Sequence, residues 1–314
     1  MGEINIIKVD GKPLEKLIDV ISKGIGTIYR PRAIRKEADA KAYEIEVIER
    51  AKSKALAEGK EIDAETYDRI QERIIFKETK RQKNIDYVSK VAAEQLEQEQ
   101  TVSEDPVDED WISRFFNIVE DVSDEEMQQL WGRILAGEVK QPKTYSLRTL
   151  ELLKNLSRRE AEVFSRVANF VISSYNSPFL FKGKSIETPN TNSITLEDRL
   201  LLTETGILQA ENTIFRKLGV SPSDSLVYFE SGRYIIKGLK KANSPEVGIE
   251  IWRFTKIGEE LLNLLLPNPH EDYIKEFCKR LEELGLEVEY AHIIVKHSDG
   301  TISHTMPWIN FKTE

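Results

Sequence analysis

SDEEMQQLWGRILAGEVKQPKTYSLRTLELLKNLSRREAEVFSRVANFVI, residues 123–172, decides the fold class of this chain. Ser123 and Glu126 are spaced as a capping box, in which each side chain serves the other residue's backbone N–H. The helix they open carries Met127, Leu130, Trp131, Ile134 and Leu135 at three- and four-residue steps, and Gly137 is placed to end it. Ser146 is placed to cap a helix through Asn155. Ser157 and Glu160 repeat the capping box and open a helix predicted to reach about Ile172. With residues 111–120, rich in Trp111, Ile112, Phe115, Phe116, Ile118 and Val119, these helices predict a compact helical domain over residues 111–174.

Upstream of it, EQLEQEQTVSEDPVDED (residues 94–110) is acidic, poor in apolar residues and interrupted by Pro106. It predicts a linker and a domain boundary at residues 101–110. Its carboxylates lack the alternating spacing, central glycine and closing glutamate of a calcium loop. Residues 32–100 are rich in Ala, Glu, Lys and Ile and predict a long helical hairpin, its arms at residues 33–59 and 63–99, the second bent or broken near Asn84. Arg69, Arg73, Lys77, Lys80, Arg81 and Lys83 form a basic face on the second arm, read as a solvated surface.

Residues 1–31 predict an arm and an amphipathic helix opened by Pro13. Leu14, Leu17, Ile18, Ile21, Ile25 and Ile28 form one apolar stripe, and Gly24 and Gly26 permit close backbone approach. Arg30, Arg32, Arg35 and Lys36 follow as a basic cluster. Two readings stand side by side: a helix packed on the protein's own core, or a membrane-active helix whose basic flank contacts anionic headgroups when several copies gather.

Towards the C-terminus the helical periodicity gives way to alternation. Residues 175–195 predict a loop or irregular hairpin, and residues 195–210 a helix. Strands at 226–229 and 233–236 flank a Ser231-Gly232 turn, and a third strand spans 248–254 with Ile249 and Ile251 facing opposite to Trp252 and Phe254. Leu202-Thr203 with Gly206, and Phe254-Thr255 with Gly258, resemble the helix starts of winged-helix modules, so residues 175–266 are read as a winged-helix-like α/β module. Residues 267–314 predict a helix plus a β-hairpin turning at Ser298-Asp299-Gly300. In that register Val295 faces His304 and His297 faces Ile302, which makes the two histidines diagonal neighbours. The fold class is thus mainly α with a smaller α+β C-terminal part.

Composition narrows the function. The chain has 314 residues, 32% charged, and a formal net charge of −9, which disfavours nucleic acid as main partner. A single cysteine, Cys278, excludes an internal disulfide and a thiolate zinc cluster. Two or three histidines without a placed carboxylate make a poor metal site. No phosphate-binding loop, dinucleotide fingerprint, nucleophile elbow or zinc-protease motif occurs. We therefore expect no catalytic residues, no cofactor and no metal. The first residues lack a signal-peptide pattern, and no apolar run reaches the length of a spanning helix.

Trp131, Ile134-Leu135-Ala136-Gly137-Glu138, Pro142, Ser146-Leu147-Arg148-Thr149-Leu150, Leu156-Ser157 and Glu160-Ala161 resemble the bacterial family labelled domain of unknown function 2806, and more distantly the abortive-infection alpha family. The resemblance implies a fold and a context of antiphage defence rather than a chemistry. On it rests the expectation of a protein that senses a phage protein, self-associates, and moves from the cytoplasm to the inner membrane. A nucleic-acid-binding regulator and a non-enzymatic cytosolic scaffold are the alternatives.

Overall fold

The computed structural model describes residues 11–26, 64–97, 99, 101–184, 193–211, 213–297 and 300–310. The chain forms two compact units, Met1–Leu150 and Glu151–Glu314. Among the described residues there are nine helices and nine strands, the strands all in one antiparallel sheet. The architecture is mixed α/β.

Unit 1 is built on α1 (Lys12–Ile25), α2 (Ala64–Leu96), α3 (Glu109–Val119) and α4 (Glu125–Lys140). Helix α2 is continuous through Asn84, where the sequence suggested a bend. The reason lies in packing. The buried Asn84 amide donates to the Glu120 carbonyl at 2.8 Å and to Ser123 Oγ at 3.4 Å, while its own carbonyl accepts from Gln128 Nε2 at 3.0 Å. A residue of weak helix propensity is kept because it joins α2 to the α3–α4 turn. Ser123 is thereby occupied, and the N-cap of α4 shifts by one residue to Asp124, which accepts from Met127 N. Gly137 does not end α4 either. It lies inside the helix against Tyr145, where a Cβ would meet the ring at 2.9 Å. Gly132 plays the same part against Val91 of α2.

The aromatic residues of α3 and α4 form the centre of this unit. Trp111 stacks on Phe115 at 4.9 Å, and Phe115 meets the edge of Trp131 at 5.6 Å. Trp111 Nε1 donates to the Tyr145 carbonyl, and the buried Glu138 carboxylate accepts from the backbone N–H groups of Lys143 and Tyr145. The acidic stretch at residues 101–110 is seated within unit 1 rather than at its border. Ser103 N donates to Lys140 O, Val107 is buried, and Asp108 caps α3 by accepting from Trp111 N. The division between units falls instead inside α5 (Leu147–Asn155).

Unit 2 opens with α6 (Arg158–Ala168), which carries the expected Ser157–Glu160 capping box. It stops at Ala168, short of Ile172, because Val171–Ser174 leaves as strand β1. Tyr175 and Asn176, at φ 50 and 56, turn the chain into β2 (Ser177–Phe181). Two left-handed residues in a two-residue loop match the twist of a hairpin. Helix α7 (Leu196–Glu204) begins at a Thr195–Asp198 capping box and ends before Gly206, at φ 76. The remaining strands are β3 (Ile214–Leu218), β4 (Ser225–Ser231), β5 (Tyr234–Lys240), β6 (Val247–Arg253), β7 (Glu287–Lys296), β8 (Ile302–His304) and β9 (Ile309–Asn310). The order is β3-β6-β2-β1-β4-β5-β7-β8, with β9 also on β7.

Pairing of β5 with β7 over six residues puts strands from 175–266 and 267–314 into the same sheet, across the boundary expected at residue 266. The two helix starts singled out in the sequence meet here: Thr255 caps α8 (Lys256–Leu262) and its hydroxyl donates to the Gly206 carbonyl. Helix α9 (Glu271–Glu283) covers one face. Phe277 packs on Phe179, Phe181 and Phe229, and the Tyr273 hydroxyl accepts from Phe181 N and donates to Phe181 O. Cys278 is buried there as a small core residue, and burial pushes its thiol pKa far up.

The terminal hairpin departs from the expected register. Ile293 faces His304 and Lys296 faces Ile302, with an irregularity between Ile293 and Val295. His297 then shares a hydrogen bond with Ser303 Oγ at 2.8 Å, and His304 pairs with the Thr305 carbonyl at 3.0 Å. The register is already one residue off at Lys296 and Ile302, on the turn side of the irregularity, and the irregularity adds a second residue of offset.

Replacing Asn84 by Ala leaves Gln128 and the Glu120 carbonyl each short of a buried partner. Chemical denaturation of Asn84→Ala is expected to show a loss of about 1–3 kcal/mol. An unchanged midpoint would remove the Asn84 network from the account of unit 1.

Candidate functional site

Of the elements singled out in the sequence, α1 is the one whose residues were tied to an activity. It starts at Gly11, a non-helical residue at φ 125, with Pro13 in the first turn, and ends at Gly26, a left-handed C-cap at φ 68. Pro at the start and Gly at the end is the asymmetry that unpaired terminal backbone groups favour. The helix packs against α2, α3 and α4 of unit 1.

Leu14, Leu17 and Ile21 are 5%, 3% and 1% exposed, so this part of the expected stripe is sealed. Ile18, Gly24 and Ile25 are half-buried and Gly26 is exposed. Ile28 and the basic cluster Arg30, Arg32, Arg35 and Lys36, like the arm at the start of the chain and the first arm of the hairpin, lie outside the described residues. Two members of the buried face, Pro13 and Val20, were not singled out from sequence. The signal was present: residues 13, 14, 17, 20 and 21 recur at three- and four-residue steps, and they rotate the buried stripe away from Ile18 and Ile25.

Gly24 explains how the helix seats. A Cβ at this position would lie 2.0 Å from Cδ2 of Phe116. The ring of α3 therefore occupies the space of the missing side chain. The glycine permits a tight helix contact, and that contact is within this chain. Polar ties hold the outer edge. Lys16 Nζ donates to the carbonyls of Ser103 and Asp105, both at 2.8 Å. Burial lowers the Lys16 pKa, while Asp105 and Glu138 work to raise it. Lys23 bridges Asp19 one turn back at 2.8 Å, and that hydrogen bond raises its pKa. Ser22 Oγ donates to the Ile18 carbonyl.

The basic face of α2 is partly neutralised. Arg81 reaches Glu78, Glu120 and Asp121, the closest being Glu120 at 2.9 Å. Its pKa is raised by Asp121 and the neighbouring carboxylates, although burial opposes this. Among the described residues no helix is long and apolar enough to cross a membrane. A helix of 14 residues extends about 21 Å, short of the ~30 Å hydrocarbon core.

Two substitutions separate seating from composition. Gly24→Leu is expected to lower the stability of unit 1 by about 1–3 kcal/mol through overpacking on Phe116. Ile18→Glu, on the half-exposed side, is expected to change it by roughly 0.5 kcal/mol or less. Equal melting shifts in the two variants would contradict the buried face assigned here.

The model of a family described as "Protein of unknown function (DUF2806)" matches residues 68–278. No curated protein and no solved structure matches.

Proposed function

We propose, from the premise that this chain belongs to the DUF2806 family, that it is a non-enzymatic bacterial antiphage-defence protein of the abortive-infection kind. In this reading it senses a phage component, self-associates, and disrupts the inner membrane with α1. The observation that carries the proposal is the two-sided character of that helix. Leu14, Leu17, Val20 and Ile21 are hidden in unit 1, while Lys12, Glu15, Asp19 and Lys23 face solvent. Such a helix is inert while stowed and amphipathic when released.

Energetics supply the switch. Exposing four buried aliphatic side chains costs roughly 6 kcal/mol of transfer free energy at the low end of the usual scale, and what remains after the chain entropy regained on release is the margin that keeps the helix stowed. A trigger must bind the released form more tightly by at least that margin. Because α1 is too short to span alone, its mode of action is to lie in the interface, and several copies are needed for a lesion. The basic residues Arg30, Arg32, Arg35 and Lys36 are assigned to headgroup contact on their order in the sequence. The engagement of Arg81 with three carboxylates weighs against the nucleic-acid alternative.

Dye release from anionic vesicles tests this directly. Gly24→Leu, which unseats α1 from Phe116, is expected to release dye several-fold faster than the wild type. Adding Ile25→Glu to that variant is expected to abolish the gain. No increase with Gly24→Leu, or an increase that survives Ile25→Glu, would leave a scaffold without a membrane step as the better reading.

A further inference from the structure

Among the described residues, strand β3 lies at one edge of the sheet of unit 2, paired with β6. Its central residue, Arg216, is half-buried. The guanidinium carbon stands 5.4 Å from the centre of the Phe179 ring, and one N–H donates to the Ser174 carbonyl at 3.0 Å. Phe179 is directly opposite Arg253 in the β2–β6 register, so two arginines flank one ring on the same sheet face. The neighbouring lysines have acidic partners: Lys182 pairs with Glu250 and Lys217 with Glu246. Neither Arg216 nor Arg253 pairs with a carboxylate among the described residues. In a chain of net charge −9 this is an unopposed local pair of cations.

Ser174 and Tyr175 stand at the start of the β1–β2 turn. Ser174, whose carbonyl anchors Arg216, is 2% exposed, and its hydroxyl has no hydrogen-bond partner. Ser89 Oγ, Trp131 Nε1 and Trp252 Nε1 are buried in the same state. Tyr175, at the tip of the β1–β2 turn, is 76% exposed. Burial lowers the Arg216 pKa, Tyr175 opposes the fall, and the like charge of Arg253 adds to it. An entering anion would relieve that repulsion.

We propose that Arg216 and Arg253, on one face of the sheet beside Phe179, form a binding site for a dianionic phosphate group. The donor set selects the anion. Each guanidinium carries five N–H donors in a planar fork, and Arg216 uses one of them on Ser174. The donors left over exceed what the two oxygens of a carboxylate accept without crowding. They suit the three terminal oxygens and double charge of a phosphate monoester or free phosphate. The site needs no movement of α1 and is independent of the membrane reading.

Calorimetric titration of the full chain with inorganic phosphate, at fixed ionic strength, tests the assignment. Saturable single-site binding is expected, with acetate at least about tenfold weaker. Arg253→Gln, at an exposed position that leaves the fold intact, and Arg216→Gln are each expected to weaken phosphate binding by about tenfold or more. Lys279→Gln, on α9, is expected to leave it unchanged. No saturable heat, equal affinity in Arg253→Gln, or acetate binding as tightly as phosphate would each overturn the site.

Discussion

The ring of Phe116 stands where a side chain at residue 24 would have to be. That one exclusion sets the depth at which α1 meets α3, and the rest of the helix follows from it. With the ring against the backbone at Gly24, Ile21, Leu17 and Leu14 fall in turn on the aromatic and aliphatic centre of unit 1. Lys16 then lies level with the carbonyls of Ser103 and Asp105, which fixes the acidic segment as the outer wall of the same unit. A residue whose lack of a side chain disfavours a helix in isolation is what allows this helix to pack. The stripe that would make α1 active on a membrane is the stripe that seats it.

Much of this architecture was legible in the sequence, and the failures share a cause. The second capping box, the Ser146 cap, the helix starts at Thr195 and Thr255 and the strands β4 to β7 rest on local chemistry, and local chemistry placed them, whereas β1 and β3 were not read as strands. Asn84, Gly137 and the stretch at 101–110 were misjudged because each carries a local signal that a distant partner overrides. Asn84 is held by Glu120 and Gln128, Gly137 by Tyr145, and Ser103 by Lys140. The sheet failed to show for the same reason. Pairing of β5 with β7 joins segments some fifty residues apart, and alternation alone does not say which strands are neighbours. For α1, the stripe and its glycines were visible, but which side of the stripe is buried was set by α3.

The two units carry different kinds of chemistry. Unit 1 joins buried polar groups of distant segments, Asn84 with Gln128 and Glu138 with the Lys143–Tyr145 backbone. Among the described residues, unit 2 presents β3 as an edge strand and, on the same sheet face, two arginines that pair with no carboxylate. Recognition is easier to lodge in the second, and storage of an amphipathic helix in the first.

Everything proposed for α1 rests on its being a packed element of the resting chain. Hydrogen exchange of the backbone amides of the full-length protein measures that most directly. The amides of Leu17, Val20 and Ile21 should be protected to the same degree as those of α3 and α4, and should lose protection in Gly24→Leu before α3 and α4 do. Exchange of these three amides at unprotected rates in the wild type, with α3 and α4 still protected, would show that α1 is not held by unit 1 and would contradict the account.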